Sequence, residues 1–260
     1  GMLDDVLQAV RKVTGQPKGL VLAASKPRNG LTSTLYSLMR DHDAYTQHLM
    51  TVEAAPEADM ENITQNTYAN DADEDRVVAG VLRRDPDVLM VDRAATTEAA
   101  RRLVEAAGSV KVIVGVSARD SFYALATWVK TVGDPAAAVR PLTGVLSQVL
   151  MRKLCPDCRE AYQPNADLLR KANLPADRAA KFYRPPKELT DEKGGPIISP
   201  TCQGSGYFGR TAAFELLVLD DELRKLIASG AGLTQIKAAA RKNGMLYLQE
   251  QALRLVMEGI

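Results

Sequence analysis

A segment near the N-terminus has the layout of a phosphate-binding loop. Residues 19–24 are an apolar run that predicts a buried strand, residues 25–30 include two cations and a glycine, and residues 32–40 have the spacing of a helix. When strand, loop and helix follow one another in this order, backbone N–H groups and the helix dipole hold an anion. The segment therefore predicts a site for a phosphate group.

The loop matches the nucleotide-binding motif Gly-x-x-x-x-Gly-Lys-Ser/Thr only in part. Gly30 and Thr32 occupy their expected positions, whereas Ser25 stands at the first Gly and Leu31 stands at the Lys. A charge-assisted hydrogen bond such as that of the lysine contributes roughly 1.5–3 kcal/mol. Leu31 instead places a branched apolar side chain where the phosphates would lie, so any binding of ATP and Mg²⁺ is expected to be weak.

Two interpretations of the loop remain open. Lys26 and Arg28 lie beside the hydroxyls of Thr32 and Ser33, and together they could hold a phosphate or a nucleotide without cleaving it. Alternatively, the segment is a solvated basic turn whose hydroxyls cap the following helix. The incomplete motif favours the second interpretation.

Two acidic side chains come at the ends of later apolar runs. Glu53 ends the run that begins at residue 48, and Asp92 follows the run over residues 87–91. Glu53 could lie near a bound Mg²⁺ or could be a hydrogen-bonding residue at the end of a strand. The missing lysine favours the hydrogen-bonding role.

The composition excludes several classes of protein. The chain has 260 residues, of which 46% are hydrophobic and 25% charged, and its net charge is +1. Because both signs are interspersed, we expect no nucleic acid partner and no direct attraction to an anionic membrane. No apolar run approaches the roughly 18 residues of a membrane span. Three cysteines fit a reducing cytosol and a metal site, intact or vestigial, better than disulfides.

Helical and strand patterns alternate over most of the chain. Strands are predicted over residues 19–24, 48–52, 62–68, 87–91 and 110–116, and helices over 3–13, 32–40, 73–84, 96–107, 119–131, 136–152, 165–173, 176–183, 220–228, 233–242 and 246–258. This alternation predicts an α/β fold, with a mostly parallel sheet and helices on both faces.

Four further stretches form a characteristic series along the chain. They are Thr-Val-Glu at 51–53, Leu-Arg-Arg-Asp-Pro-Asp-Val-Leu-Met-Val at 82–91, Leu-Met-Arg-Lys-Leu-Cys-Pro-Asp-Cys at 150–158, and Gly-Ser-Gly-Tyr-Phe-Gly-Arg-Thr at 204–211 with Glu-Leu-Leu at 215–217. In order and spacing they resemble the C-terminal motor domain of type II secretion and type IV pilus assembly ATPases, over nearly all of residues 15–260. The resemblance implies a RecA-like P-loop NTPase core and ATP hydrolysis.

The positions that carry chemistry in that family differ here. The family has Gly-Glu after its Walker B strand, and the Glu activates water; this chain has Asp92 and Arg93. Ala54 stands where the family has an Asp, and the family's two histidine positions, near Lys111 and Ala118, hold no histidine. A positioned general base contributes about 10²–10⁴-fold to a rate, and Arg93 cannot serve as one.

These differences predict a pseudo-ATPase, a motor domain kept as a structural or regulatory subunit. Two alternatives are a weakly active ATPase whose missing groups come from a neighbouring subunit, and a nucleotide sensor without turnover. The vestigial nucleotide-site positions are Ser25, Lys26, Arg28, Gly30, Leu31, Thr32, Ser33, Glu53, Asp92 and Arg93.

The family resemblance also implies a zinc-binding insertion with two Cys-x-x-Cys pairs. Here Cys155 and Cys158 form the first pair, but the second is Ser199-Pro-Thr-Cys202. Serine is a poor zinc ligand at neutral pH, and no histidine lies beyond residue 48 to replace it. Either the three thiols stay reduced in a loop that folds without metal, which the missing ligand favours, or they bind zinc with water as the fourth ligand.

The resemblance also implies an organisation and a setting. It divides the chain into a degenerate NTPase core (1–154), an insertion resembling a zinc-binding module (155–212) and a C-terminal helical lobe (213–260). The expected partners are components of a secretion or pilus machine, such as an active ATPase paralogue or a second copy of this chain. The expected location is the cytoplasm, with the membrane reached only indirectly through an inner-membrane platform.

Overall fold

The computed structural model describes residues 2–165, 169, 182–186 and 199–257. Its helices are α1 (Asp4–Thr14), α2 (Leu31–Arg40), α3 (Asp71–Leu82), α4 (Thr97–Ala106), α5 (Ser121–Val132), α6 (Pro135–Val139), α7 (Asp221–Ala228), α8 (Leu233–Lys242) and α9 (Leu248–Met257). Its strands are β1 (Gly19–Ser25), β2 (Leu49–Glu53), β3 (Thr64–Thr67), β4 (Val88–Val91), β5 (Lys111–Ser117), β6 (Leu142–Leu154), β7 (Glu160–Tyr162), β8 (Phe182–Arg184) and β9 (Tyr207–Val218).

Among the described residues, seven strands form one sheet in the order β3-β2-β4-β5-β1-β6-β9. Strand β1 pairs in parallel with β5 and β6, β2 with β3 and β4, and β4 with β5. Every residue of β1, β2 and β4 is buried, as expected for strands covered on both faces. The predicted α/β fold with a mostly parallel sheet is confirmed, and β3 is the edge strand predicted over residues 62–68.

Short polar side chains begin several of the helices. Thr96, Asp120 and Asp220 each accept a hydrogen bond from a backbone N–H group in the first turn of α4, α5 and α7. Such caps contribute about 0.5–2 kcal/mol each. Helix α5 is followed by Gly133, whose φ of +79° suits glycine.

One predicted helix is wrong. The sequence pattern predicts a helix over 136–152, but α6 ends at Val139 and the chain then forms strand β6. Arg140 still has helical backbone angles, but Pro141 has no backbone N–H to donate to the preceding turn, so α6 cannot continue. The apolar residues that follow pair in parallel with β1, where Val145 and Leu146 are buried. Pairing with a distant strand therefore overrides the local helical spacing.

Contacts divide the chain into two compact units. The larger combines Leu3–Gln148 with Glu215–Leu246; the smaller combines Val149–Phe214 with Tyr247–Ile260 and the first two residues. Within the smaller unit, β7 pairs antiparallel with β8, and the rings of Tyr162 and Phe182 meet edge to face.

The region around the smaller unit differs in part from the sequence pattern. The short helices predicted over 165–173 and 176–183 lie mostly outside the described residues, although Phe182 and Tyr183 belong to strand β8. Strand β9 is not predicted by the pattern, and the predicted boundary at residue 213 falls inside it. The division into core, insertion and helical lobe stays a prediction. In the part of the chain that the structure describes, no helix is long and apolar enough to cross a membrane.

The carboxyl end of β4 lies so close to β5 that residue 115 has to be glycine. A Cβ atom at Gly115 would lie 2.0 Å from the carbonyl oxygen of Asp92. We expect Gly115→Ala to lower the free energy of unfolding by about 1–3 kcal/mol, as overpacking does, measured by urea denaturation. In the matched control Gly80→Ala, on α3, the nearest atom is 3.7 Å away at the end of Arg83. This helical substitution should stabilise by roughly 0.5–1 kcal/mol. Equal midpoints for the two variants would contradict the close approach.

Candidate functional site

The loop between β1 and α2 has the backbone of a tight phosphate-type turn. Gly30 is the residue before α2 and has a left-handed φ of +79°, and Arg28 also has a positive φ, of 62°. The N–H group of Asn29 donates to the carbonyl of Lys26 over 3.2 Å. Ser25, at the end of β1, is buried and donates its hydroxyl to the same carbonyl.

The side chain of Gln148, on β6, holds this loop in place. Its amide nitrogen donates to the carbonyl oxygen of Asn29 over 2.6 Å, and its oxygen accepts from the hydroxyl of Thr34 on α2. The side chains of Lys26 and Arg28 are both exposed. Leu31, at the lysine position of the motif, is half-buried in the first turn of α2.

The hydroxyls after Gly30 do not cap the helix. Thr32 donates its hydroxyl to a carboxylate oxygen of Glu57 over 2.7 Å, and Ser33 is exposed. The backbone N–H of Glu57 in turn donates to the Tyr36 hydroxyl over 3.0 Å. The loop that follows β2 is therefore fastened to the first turns of α2.

Glu53, at the end of β2, is buried and surrounded by hydrogen-bond donors. It receives the Tyr36 hydroxyl at 2.6 Å, the Thr51 hydroxyl at 2.6 Å and the Gln65 side-chain amide at 3.2 Å. Burial and this hydrogen bond to Glu53 raise the pKa of Tyr36 above its ordinary value. Through these hydrogen bonds Glu53 links β2 with β3 and with α2.

Asp92 and Arg93, which follow β4, make separate sets of contacts. One carboxylate oxygen of Asp92 accepts from the N–H of Ala54 and the other from the Tyr68 hydroxyl, both over 2.9 Å. Burial raises the pKa of Asp92 although these hydrogen bonds oppose the shift. The Arg93 guanidinium donates to Tyr68 over 3.1 Å and forms an ion pair of 2.6 Å with Asp71 at the start of α3.

A further acid lies behind this cluster. Glu74, on α3, is fully buried; one of its oxygens accepts from the N–H groups of Ala95 and Thr96, and the other has no partner among the described residues. Burial raises the pKa of Glu74 to about 7. The sequence pattern gives no sign of this residue, because it is one of several acids in the first turn of α3.

The predicted site residues therefore fall into two groups. Hydrogen bonds through Glu57 and Tyr36 connect Thr32 with Glu53, while Asp92 reaches the next residue, Ala54. Lys26, Arg28 and Ser33 remain at the surface.

Sequence reasoning did not identify Tyr36, Glu57, Tyr68, Gln65 and Gln148. Of these, only Tyr36 carried a signal, because it lies one helical turn after Thr32.

The three cysteines, which are far apart in the sequence, form a cluster in the smaller unit. The thiol sulfurs of Cys155, Cys158 and Cys202 all lie within 4.8 Å of one another, and none is in a disulfide. Burial and the neighbouring sulfurs raise the pKa of Cys158 to about 12. Burial also acts to raise the pKa of Cys202, but backbone N–H groups and Ser199 outweigh it and lower that pKa to about 6.

Comparison with known proteins gives the family. A family model described as "Type II/IV secretion system protein" matches residues 1–260. The chain belongs to this family. The type II secretion system protein HxcR of Pseudomonas aeruginosa is 30% identical over 264 residues, covering 100% of this chain and 50% of the relative. The type IV pilus assembly ATPase PilB of Thermus thermophilus is 29% identical over 271 residues, covering 100% of this chain and 29% of the relative.

A solved structure shares the fold of this secretion-family chain. The crystal structure of the pilus retraction motor PilT with bound ADP aligns with a TM-score of 0.65 and 18% identity, covering 100% of this chain and 62% of that chain. This likeness confirms the predicted RecA-like core. The chain spans half or less of the length of HxcR and PilB.

Glu74 should make stability depend on pH. Its ordinary pKa of 4.5 applies to the unfolded chain and a pKa of about 7 to the folded chain, so the folded state binds the proton more tightly. The stabilisation is present below about pH 4.5, is lost as the pH rises to about 7, and amounts to about 1.4 kcal/mol per unit of the shift. Glu74→Gln should remove this loss.

The measurement is urea denaturation of the wild type and the Glu74→Gln variant between pH 5 and pH 8. The matched control Glu98→Gln changes an exposed glutamate at the start of α4 and should keep the wild-type slope. Parallel pH profiles for wild type and Glu74→Gln would contradict the raised pKa.

Proposed function

We propose that this chain is a hydrolysis-deficient member of the secretion and pilus assembly ATPase family that acts as a structural or regulatory subunit of such a machine. One observation carries the proposal: Thr32, Glu53 and Arg93, at nucleotide-site positions, are hydrogen-bonded to other side chains of the chain. Phosphoryl transfer depends on positioning and on neutralising charge.

The phosphate loop keeps its turn but lacks its central cation. Gly30 has the left-handed conformation that such a loop needs, while Leu31 supplies an apolar side chain at the lysine position. Lys26 and Arg28 are cations, but both precede Gly30, on the exposed side of the turn. The charge-assisted hydrogen bond of the motif lysine is therefore not replaced at its own position.

The groups that would approach Mg²⁺ already have partners. The Thr32 hydroxyl, which follows the lysine position, donates to Glu57, and Glu53 accepts three hydrogen bonds. These contacts turn the Thr32 hydroxyl proton toward Glu57 and use three of the roughly four acceptor sites of the Glu53 carboxylate, so Mg²⁺ would have to compete with the donors around Glu53. Each hydrogen bond contributes about 0.5–1.5 kcal/mol, and more where a charged group takes part.

The position of the water-activating glutamate holds a cation with a partner of its own. The Arg93 guanidinium donates to Asp71 and to Tyr68, and neither contact leaves a proton acceptor at this position. Contact with the Tyr68 hydroxyl raises the pKa of Arg93 further. Arg93 therefore fixes the start of α3 beside β4 and takes no proton from water.

The family supplies the setting of the proposal. HxcR is a type II secretion system protein and PilB a type IV pilus assembly ATPase. We place this chain, by analogy, at the cytoplasmic side of a secretion or pilus machine, beside an active ATPase of the same family. In that position a chain that keeps the RecA-like core but does not hydrolyse ATP acts as a structural subunit of the machine or regulates the adjacent active subunits.

A second candidate function is a nucleotide sensor without turnover. The observation that favours it is the exposure of Lys26 and Arg28 beside the N-terminus of α2, where a phosphate would be attracted by both charges and by the helix dipole. Affinity for Mg-ATP distinguishes the two functions. A third alternative is weak ATP hydrolysis that uses groups from a neighbouring subunit. Turnover of ATP would reveal it.

Restoring the lysine alone should not restore activity. Because Ala54 and Arg93 also stand where the family has carboxylates, we predict that Leu31→Lys leaves phosphate release at background. The matched control Ser37→Lys adds the same charge at an exposed position on α2, away from the loop. Clear turnover by Leu31→Lys, without turnover by Ser37→Lys, would show that the remaining site is functional and that the proposal is wrong.

Mg-ATP should bind weakly to the wild type. We predict a dissociation constant on the order of 1 mM or weaker, about −4 kcal/mol, measured by calorimetric titration. Micromolar affinity that falls in a Lys26→Ala, Arg28→Ala variant would instead support the sensor. Micromolar affinity unaffected by that variant would contradict both readings of the loop.

A further inference from the structure

A cavity of about 360 Å³ in the larger unit is lined by α5 and by the helices α7 and α8. Its walls are almost wholly apolar, and the larger side chains in them include Phe122, Tyr123, Val129, Ile227, Leu233 and Ile236. Cavities of roughly 300–1,000 Å³ with apolar walls and few polar groups are typical of small-molecule sites. The volume suits a ligand of about twelve non-hydrogen atoms, since each takes roughly the 30 Å³ of a water molecule.

The connection between α7 and α8 leaves the cavity open. Gly230 and Ala231, in this connection, line the cavity, and a Cβ atom on Gly230 would meet no atom of the described residues within 4 Å. The side chains of Tyr123 and Leu233, which also line the cavity, are 44% and 48% exposed. A ligand in the cavity would therefore remove further apolar surface from water, which favours binding.

Two cations lie against aromatic rings at one end of the cavity. The Arg119 guanidinium carbon is 3.5 Å from the centre of the Tyr123 ring, and the Lys237 ammonium nitrogen is 5.3 Å from the centre of the Phe122 ring. Both rings belong to the first turn of α5. The two cations are therefore placed beside the same end of the cavity.

Two acids near this end accept hydrogen bonds from the start of α5. Asp120 accepts from the N–H of Tyr123 over 2.8 Å and forms an ion pair of 3.3 Å with Arg119. Glu215 is buried and accepts from the N–H and the hydroxyl of Ser121, both over 2.8 Å. The carboxylates thus face the helix terminus, whereas the cations lie on the rings that line the cavity.

The other end of the cavity suits an apolar group. Pro135 lines the cavity just after α5 ends, and the neighbouring Asp134 carboxylate accepts from the N–H groups of Ala136 and Ala137. Along α5, the distance from Phe122 to Val129 is about 10 Å at a rise of 1.5 Å per residue. The cavity therefore has cations at one end and apolar side chains with an acid beside them at the other.

We propose that this cavity binds a medium-chain fatty acid. The carboxylate lies beside Lys237 and Arg119, and the alkyl chain follows α5 toward Pro135. Burial of the alkyl chain supplies the affinity, and the separation of charge along the cavity sets the orientation. Decanoate has the number of non-hydrogen atoms that the volume allows. The proposal does not rest on the proposed function, because the cavity shares no residue with the phosphate-type loop.

Calorimetric titration of the full chain with decanoate tests the proposal. We expect one saturable site per chain. Hexanoate should bind at least about 20-fold more weakly, because fewer methylene groups are buried. Decylammonium has the same alkyl chain with a positive head group and should bind at least about 10-fold more weakly than decanoate, because Lys237 and Arg119 repel it.

Two pairs of variants locate the site. Ala126→Phe places a ring in the cavity and should weaken decanoate binding at least about 10-fold, whereas the matched control Thr127→Phe adds the same ring at the next exposed residue of α5 and should not. Lys237→Gln should weaken decanoate binding about 5-fold, as loss of an exposed ion pair does. Its matched control Lys130→Gln removes an exposed cation from the last turn of α5, at the apolar end, and should leave the affinity unchanged.

Three results would overturn the proposal once far-ultraviolet circular dichroism has shown each variant to be folded. One is the absence of saturable decanoate binding by the wild type. Another is equal affinity for decanoate and decylammonium, which would indicate an apolar surface covered by a partner protein. The third is an equal loss of affinity in Ala126→Phe and Thr127→Phe, or in Lys237→Gln and Lys130→Gln.

Discussion

The buried carboxyl group of Glu53 needs hydrogen-bond donors from more than one element, because an acidic group removed from water without partners is strongly destabilising. Its donors come from α2 through Tyr36, from β2 itself through Thr51, and from β3 through Gln65. These contacts set the position of the edge strand and the first turns of α2 relative to β2. The helix that follows the phosphate-type loop is therefore held against β2.

The hydrogen bonds around Glu53 continue through Tyr36 and Glu57 to Thr32, which stands at a nucleotide-site position. Tyr36 also accepts from the N–H of Glu57, and this brings the Glu57 carboxylate to the Thr32 hydroxyl. The proton of the Thr32 hydroxyl, a group that would face Mg²⁺ in a working site, is thereby directed at Glu57. Leu31 at the lysine position cannot neutralise the negative charge of the phosphates. The turn of the loop is therefore retained, whereas the cation at the lysine position is not.

Sequence reasoning located the parts of the site that depend on local spacing. The loop, Gly30 and Thr32 follow from a fixed motif, and Glu53 and Asp92 follow from their places at the ends of apolar runs. The sheet follows from alternating strand and helix patterns. These features need no knowledge of which strand pairs with which.

The parts that were missed depend on pairing between distant segments. Gln148 was assigned to a helix, and only the parallel pairing of β6 with β1 brings it to the loop. Tyr68 reaches Asp92 because of the register between β2 and β3, which a short polar edge strand does not reveal. Glu74 is distinguished from its acidic neighbours on α3 only by its burial.

Amide hydrogen exchange across the loop, with and without micromolar Mg-ATP, tests most directly whether this network has replaced nucleotide binding. We predict that exchange at residues 26–33 and 51–57 is unchanged by the nucleotide, because the groups there remain bound to one another. Protection confined to residues 29–33, with faster exchange at residues 51–57 as the contacts to Glu57 break, would contradict this account.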